Sequence, residues 1–254
     1  MRSVKSIQVL LAALALSVAA ACDDSPPPKN PFAPPPKDYK EPPPIKEAPK
    51  PQGPPQLIIG ADGPKVGWTT IAVGKKDSQA KLRKEIEANK EHFGDQPTTV
   101  AVDRKAKLEW VISMIQELAR VGSPKVTIKT ETRDEFPKQL KFTPQSRVKN
   151  PAGCSIVTMV LKDRGTAVWT VAGGRAAKRA KGLAGPDLST TAETLERYIK
   201  KCESSHTMFV SAQEGIEWGL AYDLAASAQK VKGADFKVVV VLEQEPVPGR
   251  EVEL

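Results

Sequence analysis

Thr98 to Trp110 reads TTVAVDRKAKLEW, and His206 to Trp218 reads HTMFVSAQEGIEW. The two stretches align without a gap: Val102 meets Val210, Leu108 meets Ile216, Glu109 meets Glu217 and Trp110 meets Trp218. Working outward, the same order of elements surrounds both. A short apolar run (Leu57 to Ile59; Cys154 to Leu161) precedes a second (Val66 to Val73; Thr166 to Ala172). A charged amphipathic helix, the matched strand, a longer helix and a closing strand (Val126 to Thr130; Phe236 to Leu242) follow. This order, ββαβαβ met twice, predicts an α/β chain of two tandem domains, each a small mixed sheet covered by two helices. A period of roughly 100 residues is too long for a solenoid and suits a small domain. The expected domains are 57–132 and 153–254, joined by a linker over 133–152, and two such units are expected to pair as an internal pseudo-dimer.

Local signals fill in the outline. In the first copy Asp77 or Ser78 caps a helix expected to reach about Phe93, with Gly94 as its stop. The second helix carries Leu108, Val111, Ile112, Ile115, Leu118 and Ala119 on one face and ends at Gly122 and Pro124. In the second copy Thr190 with Glu193 has the form of a capping box. Asp163, Arg164 and Gly165 form a tight turn between two β-rich runs, and the continuous apolar run KVVVVLE suits a central, well-covered strand. Within the linker, Lys138 to Phe142 has the character of a short edge strand.

The N-terminus has a different composition. Arg2 and Lys5, the apolar stretch Ile7 to Val18 and the small residues Ala19 to Ala21 form a processing segment over 1–22. Small residues directly before Cys22 resemble a lipoprotein signal, in which Cys22 is lipidated; the alternative is an uncleaved signal anchor. Either implies that the rest of the chain lies outside the cytoplasm, in the periplasm; in the lipoprotein reading its lipid holds it on a membrane, inner or outer. From Asp23 to Gln56 proline dominates, with lysine and acidic residues between, a composition that buries no core. As polyproline II it makes a disordered, stiff tether of about 100 Å. In an oxidising compartment Cys154 and Cys202 are an even pair placed for a disulfide, the alternative being two small buried thiols. A net charge of +8 favours solubility and attraction to anionic surfaces.

The stretch VAVDRKAKLEWVISMIQELARVGSPKVTIKTE resembles the periplasmic domain of the ExbD/TolR family of biopolymer-transport proteins. Asp103, the pairs Val111 and Ile112 and Met114 and Ile115, Gly122 and the strand Lys125 to Thr130 carry the likeness. The second copy departs from it, with Ser211 in place of Asp103 and Asp223 in place of Ile115. The resemblance implies the fold and a habit of pairing and of binding peptidoglycan or a TonB/TolA-like partner. Such proteins work beside an ExbB/TolQ-like channel through an acidic residue in their membrane helix. No acidic residue lies between Ile7 and Ala21, so a proton-carrying role is not implied.

The candidate sites follow. Trp110 and Trp218, at equivalent helix positions, and Tyr222 four residues after Trp218 are read either as packing or as an interface between the repeats or with a partner. Arg175, Lys178, Arg179 and Lys181 fall in a Gly-flanked loop suited to the carboxylates of peptidoglycan or to lipid headgroups, or else simply solvated. His92 and His206 sit in no metal-ligand motif, and no phosphate-binding glycine loop is present. The expectation is therefore a non-catalytic envelope lipoprotein, a binding or scaffold component with no cofactor, no metal and no nucleic-acid partner. The alternatives are a peptidoglycan-binding structural lipoprotein without a transport role, or a cell-wall hydrolase.

Overall fold

The computed structural model describes residues 53–202 and 206–254, which lie in one compact unit. The expectations for the signal segment, for Cys22 and for most of the proline-rich tether fall outside the described residues. The described residues form two mixed sheets, a small two-stranded hairpin and four α-helices, in two similar halves.

The first half runs β1 (Leu57–Gly60), β2 (Gly63–Val66), β3 (Thr69–Thr70), α1 (Ser78–Ala88), β4 (Thr98–Val102), α2 (Leu108–Arg120), β5 (Val126–Lys129) and β6 (Gln139–Phe142). Its sheet is ordered β3-β2-β1-β4-β5-β6. Strands β1, β4 and β5 are parallel, and β2, β3 and β6 are added by antiparallel pairing. The second half runs β7 (Ile156–Val160), β8 (Thr166–Thr170), β9 (Ala177–Arg179), the small hairpin β10 (Lys181–Gly182) and β11 (Gly185–Pro186), α3 (Leu188–Ile199), β12 (His206–Ala212), α4 (Trp218–Ala228) and β13 (Phe236–Val241). Its order, β13-β12-β7-β8-β9, repeats that of the first five strands of the other sheet. The twofold ββαβαβ reading thus describes the fold, with β3 and β6 added at the edges of the first sheet, and β9 and the small β10–β11 hairpin added in the second half.

Some expectations shift. The apolar run from Val66 to Val73 is not one strand: Gly67, at φ +56°, ends β2 and turns the chain into β3. The strand begins earlier, at Gly63, where φ is +123° and a Cβ would come within 2.6 Å of Val73 Cγ2 and 2.7 Å of the Ile71 carbonyl, so that only glycine fits. Helix α1 stops at Ala88 and continues as a 3₁₀ turn over Lys90–His92. The cap of α3 is Asp187, not Thr190, because the carboxylate three residues earlier accepts from the Thr190 N–H at 3.1 Å. Strand β13 is the edge of its sheet rather than its centre, although the Thr143 N–H, just past β6, donates to its Val239 carbonyl at 2.7 Å.

The helices of both halves cover one side of the sheets, and the apolar residues beneath them form one continuous cluster. It runs from Ile59, Leu82, Val100, Met114 and Leu118 through Phe142 to Trp218, Leu224 and Val239. Burying such side chains contributes roughly 1.5–3 kcal/mol each. A second, smaller cluster lies on the other side of the second sheet: Val157, Met159, Trp169, Phe209 and Val240, roofed by Val148 of the linker and Val252 of the C-terminal tail. The tail is pinned there by the Val252 N–H on the Val171 carbonyl (3.0 Å) and by Trp169 Nε1 on the Arg250 carbonyl (3.0 Å).

Candidate functional site

Helix α4 of the second half opens against the loop between β4 and α2 of the first. The Trp218 N–H donates to the Ala106 carbonyl and the Gly219 N–H to the Arg104 carbonyl, each at 2.8 Å, so one repeat's backbone caps the other's helix. Trp218 is fully buried, its Nε1 donating to Thr130 Oγ1 at 2.8 Å and its ring edge-on to Phe142 and Tyr222. The Tyr222 hydroxyl donates to the Pro137 carbonyl at 2.8 Å, and burial, aided by the neighbouring Asp223, pushes its pKa upward. Arg104 grips Asp223 with both guanidinium nitrogens, at 2.9 and 2.8 Å, and those bonds raise the Arg104 pKa. Asp223 also accepts from the Thr132 hydroxyl. Trp218 and Tyr222 therefore lie at the contact between the halves, and neither offers surface to an outside partner.

Trp110, their counterpart, sits elsewhere. It packs within its own half against the segment leading into α1, 6% exposed, and its Nε1 has no acceptor among the described residues. The equivalence of the two tryptophans in sequence is not an equivalence of environment.

Of the segment's basic residues only Arg175 lies in a loop; Lys178 and Arg179 belong to β9, which pairs with β8, and Lys181 to the first strand of the small hairpin. Arg179 is half-buried, with Nε donating to Thr194 Oγ1 of α3 at 2.9 Å. Arg175, Lys178 and Lys181 are exposed, and the Arg175 carbonyl accepts from the Tyr198 hydroxyl. Cys154, just before β7, and Cys202, just after α3, are joined as a disulfide.

The face of the first sheet turned away from the helices is open, and no residue predicted from sequence lies on it. Paired positions place Thr70, Lys65, Ile58, Ala101, Lys129 and Gln139 in one row across six strands, and Thr99, Thr127 and Lys141 in the next. All are exposed or half-buried. A shallow groove of about 500 Å³ runs over Ile58, Ala101 and Lys129 towards Asp103, Glu131 and Lys138. The corresponding face of the second sheet is the apolar one closed by the tail. The signal lay in the strands: TTVAV in β4 alternates, exposing Thr99 and Ala101, whereas β12 carries Met208, Phe209 and Val210 in succession.

Among the described residues no group of three or more His, Cys, Asp or Glu side chains is placed to hold a metal ion. No described helix is long and apolar enough to cross a membrane. In class, then, the chain is a tandem α/β protein of two ββαβαβ halves, one with an open sheet and one with a closed sheet. No family model, curated protein or solved structure matches it.

Proposed function

We propose that the chain is a non-catalytic envelope lipoprotein related to ExbD/TolR proteins, a scaffold that holds a binding surface away from its membrane. The observation that carries this reading is the contrast between the two sheets. The second is sealed by the chain's own linker and tail, and the first presents Lys65, Lys129 and Lys141 among threonines on an open face. An open face with lysines on β2, β5 and β6 suits an extended anionic partner, and the carboxylate-bearing stems of peptidoglycan are the envelope polymer with that chemistry. The buried clamp ties the half that carries the open surface to the sealed half. A lipidated Cys22 and the proline-rich stretch after it supply anchor and reach in this reading.

The test is sedimentation with purified peptidoglycan alongside in-cell crosslinking of the tagged protein. Binding that falls steeply with salt and weakens in a Lys65→Gln/Lys129→Gln/Lys141→Gln variant supports the reading. Recovery of ExbB/TolQ-like or TonB/TolA-like proteins adds a transport role. Absence of wall binding and of any envelope partner contradicts it.

A further inference from the structure

Leu183 is the most exposed large apolar side chain among the described residues. With Ala184 it forms the tip of the β10–β11 hairpin, beyond the pairs Lys181–Pro186 and Gly182–Gly185. The base of that hairpin is fixed: Gly185 and Pro186 are buried, and a Cβ at Gly185 would lie 3.3 Å from Leu220 Cδ2 of α4. The tip thus projects from an anchored base. A single exposed leucine is ordinary on a protein surface, so its surroundings decide what it means.

Those surroundings are cationic. From Arg164 to Pro186 the sequence has no acidic residue and five cations, Arg164, Arg175, Lys178, Arg179 and Lys181. Lys178 and Arg179 lie on the edge strand β9, and Lys181 precedes Leu183 by two positions. Helix α3 adds Arg197, which donates to Thr194 Oγ1 at 3.2 Å, the same oxygen that accepts from Arg179 at 2.9 Å. Two guanidinium groups therefore share one neutral acceptor. Among the described residues none of Arg175, Lys178, Arg179, Lys181 and Arg197 forms an ion pair, whereas Arg83 and Arg120 in the first half do. The neighbouring carboxylates are committed elsewhere, Asp187 to the Thr190 N–H and the Ser189 hydroxyl and Glu196 to Lys200 at 2.8 Å, which leaves exposed Glu193 alone against five cations.

We propose that the hairpin tip and the β9 edge are a membrane contact, with Leu183 inserted among the headgroups of an anionic leaflet and the unpaired cations on the phosphates around it. An apolar tip ringed by lysine and arginine matches the two layers of such a surface, phosphate outside and hydrocarbon beneath. Peptidoglycan offers carboxylates to the cations but no apolar layer to the leucine. Strand β9 is the sheet edge opposite β13, and it is β13 that meets the first half, through the Thr143 N–H on the Val239 carbonyl. A bilayer at β9 thus leaves the open face of the first sheet free. The contact is separate from that face, and either can fail without the other.

The test uses full-length protein with an environment-sensitive fluorescent amino acid at Ala184, beside the leucine, or at exposed Lys84 on α1 as control. Each is mixed with phosphatidylcholine vesicles carrying brominated chains, with and without phosphatidylglycerol, and with purified peptidoglycan. The expected result is quenching at position 184 that requires phosphatidylglycerol and falls with salt, with none at position 84. Leu183→Ser, and separately Lys178→Gln/Lys181→Gln, are each expected to raise the lipid concentration for half-quenching about tenfold. All three side chains are exposed, so the variants keep their fold. Quenching that is equal without phosphatidylglycerol, or unchanged in either variant, overturns the contact. So does a probe at 184 that responds to peptidoglycan and not to lipid, or to neither.

Discussion

Arg104 of the first repeat and Asp223 of the second form a two-pronged ion pair across the contact between the halves, with the aspartate side chain 3% exposed. The repeat alignment puts Ile115 opposite Asp223 and Ala212 opposite Arg104, so neither member has a charged counterpart in the other copy. The halves are thus held by a feature that breaks their symmetry.

Removing one partner leaves a buried charge or its donors unpaired. Asp223→Leu is expected to destabilise the protein by about 3–5 kcal/mol, whereas the double change Arg104→Met/Asp223→Leu costs less than either single change. Urea unfolding of the four proteins measures this. Additive losses contradict a coupled pair.

Gly219 sits against Arg104, and a Cβ there would lie 2.8 Å from Arg104 Cβ and 3.1 Å from Cζ. Gly219→Ala, otherwise a favourable helix substitution, is expected to cost about 1–3 kcal/mol by displacing that guanidinium. In an Arg104→Ala background, where only Cβ remains to clash, the penalty shrinks. The same unfolding assay reads it.

The Trp218–Thr130 bond is buried on both sides. Thr130→Val leaves the indole N–H without an acceptor and is expected to cost about 1–3 kcal/mol, while Thr130→Ser keeps most of the stability. Thermal unfolding of the two variants separates loss of the bond from loss of the methyl group.

The disulfide closes a sequence separation of 48 residues. The chain-entropy treatment gives about 4 kcal/mol for a loop of that size. Cys154→Ser/Cys202→Ser, or reduction of the native protein, is expected to lower the denaturant midpoint by a corresponding amount, and an unchanged midpoint contradicts the assignment.

One pH dependence follows from Asp187, whose pKa is lowered first by the Thr190 N–H and then by the Ser189 hydroxyl. A carboxylate with a depressed folded pKa adds stability above its unfolded pKa and loses it as pH falls through the folded value. The melting temperature is therefore expected to fall as pH drops below the ordinary carboxylate range, and to fall less in Asp187→Asn, which keeps a cap without the charge. Parallel melting curves over that range decide it.

Much of this fold was legible because the repeat says it twice. The match of TTVAVDRKAKLEW to HTMFVSAQEGIEW fixes which strands correspond, and apolar periodicity supplies the helices. Short elements escaped: β2 begins at Gly63-Pro64, residues that do not read as strand, because hairpin pairing with β1 outweighs their weak propensity. The site was less legible. Trp110 and Trp218 look equivalent in sequence, yet Trp218 finds Thr130 and Phe142 across the contact while Trp110 turns to its own half. Nothing local to either helix encodes that difference. Asp223 was visible as a departure from the repeat, but its partner lies 119 positions away, where only the tertiary fold brings it. The closure of the second sheet by residues near Val252 had a local sign only in the apolar run of β13.

The central claim is that the open face of the first sheet is where the protein meets its partner in the envelope. Site-specific photo-crosslinking in living cells tests it directly, with the reactive side chain at Thr127 or Lys141 on that face and, as control, at exposed Lys200 beyond α3. The account predicts capture of peptidoglycan fragments or an envelope protein from Thr127 and Lys141 and little from Lys200. Equal capture from all three positions, or none from the sheet face, contradicts it.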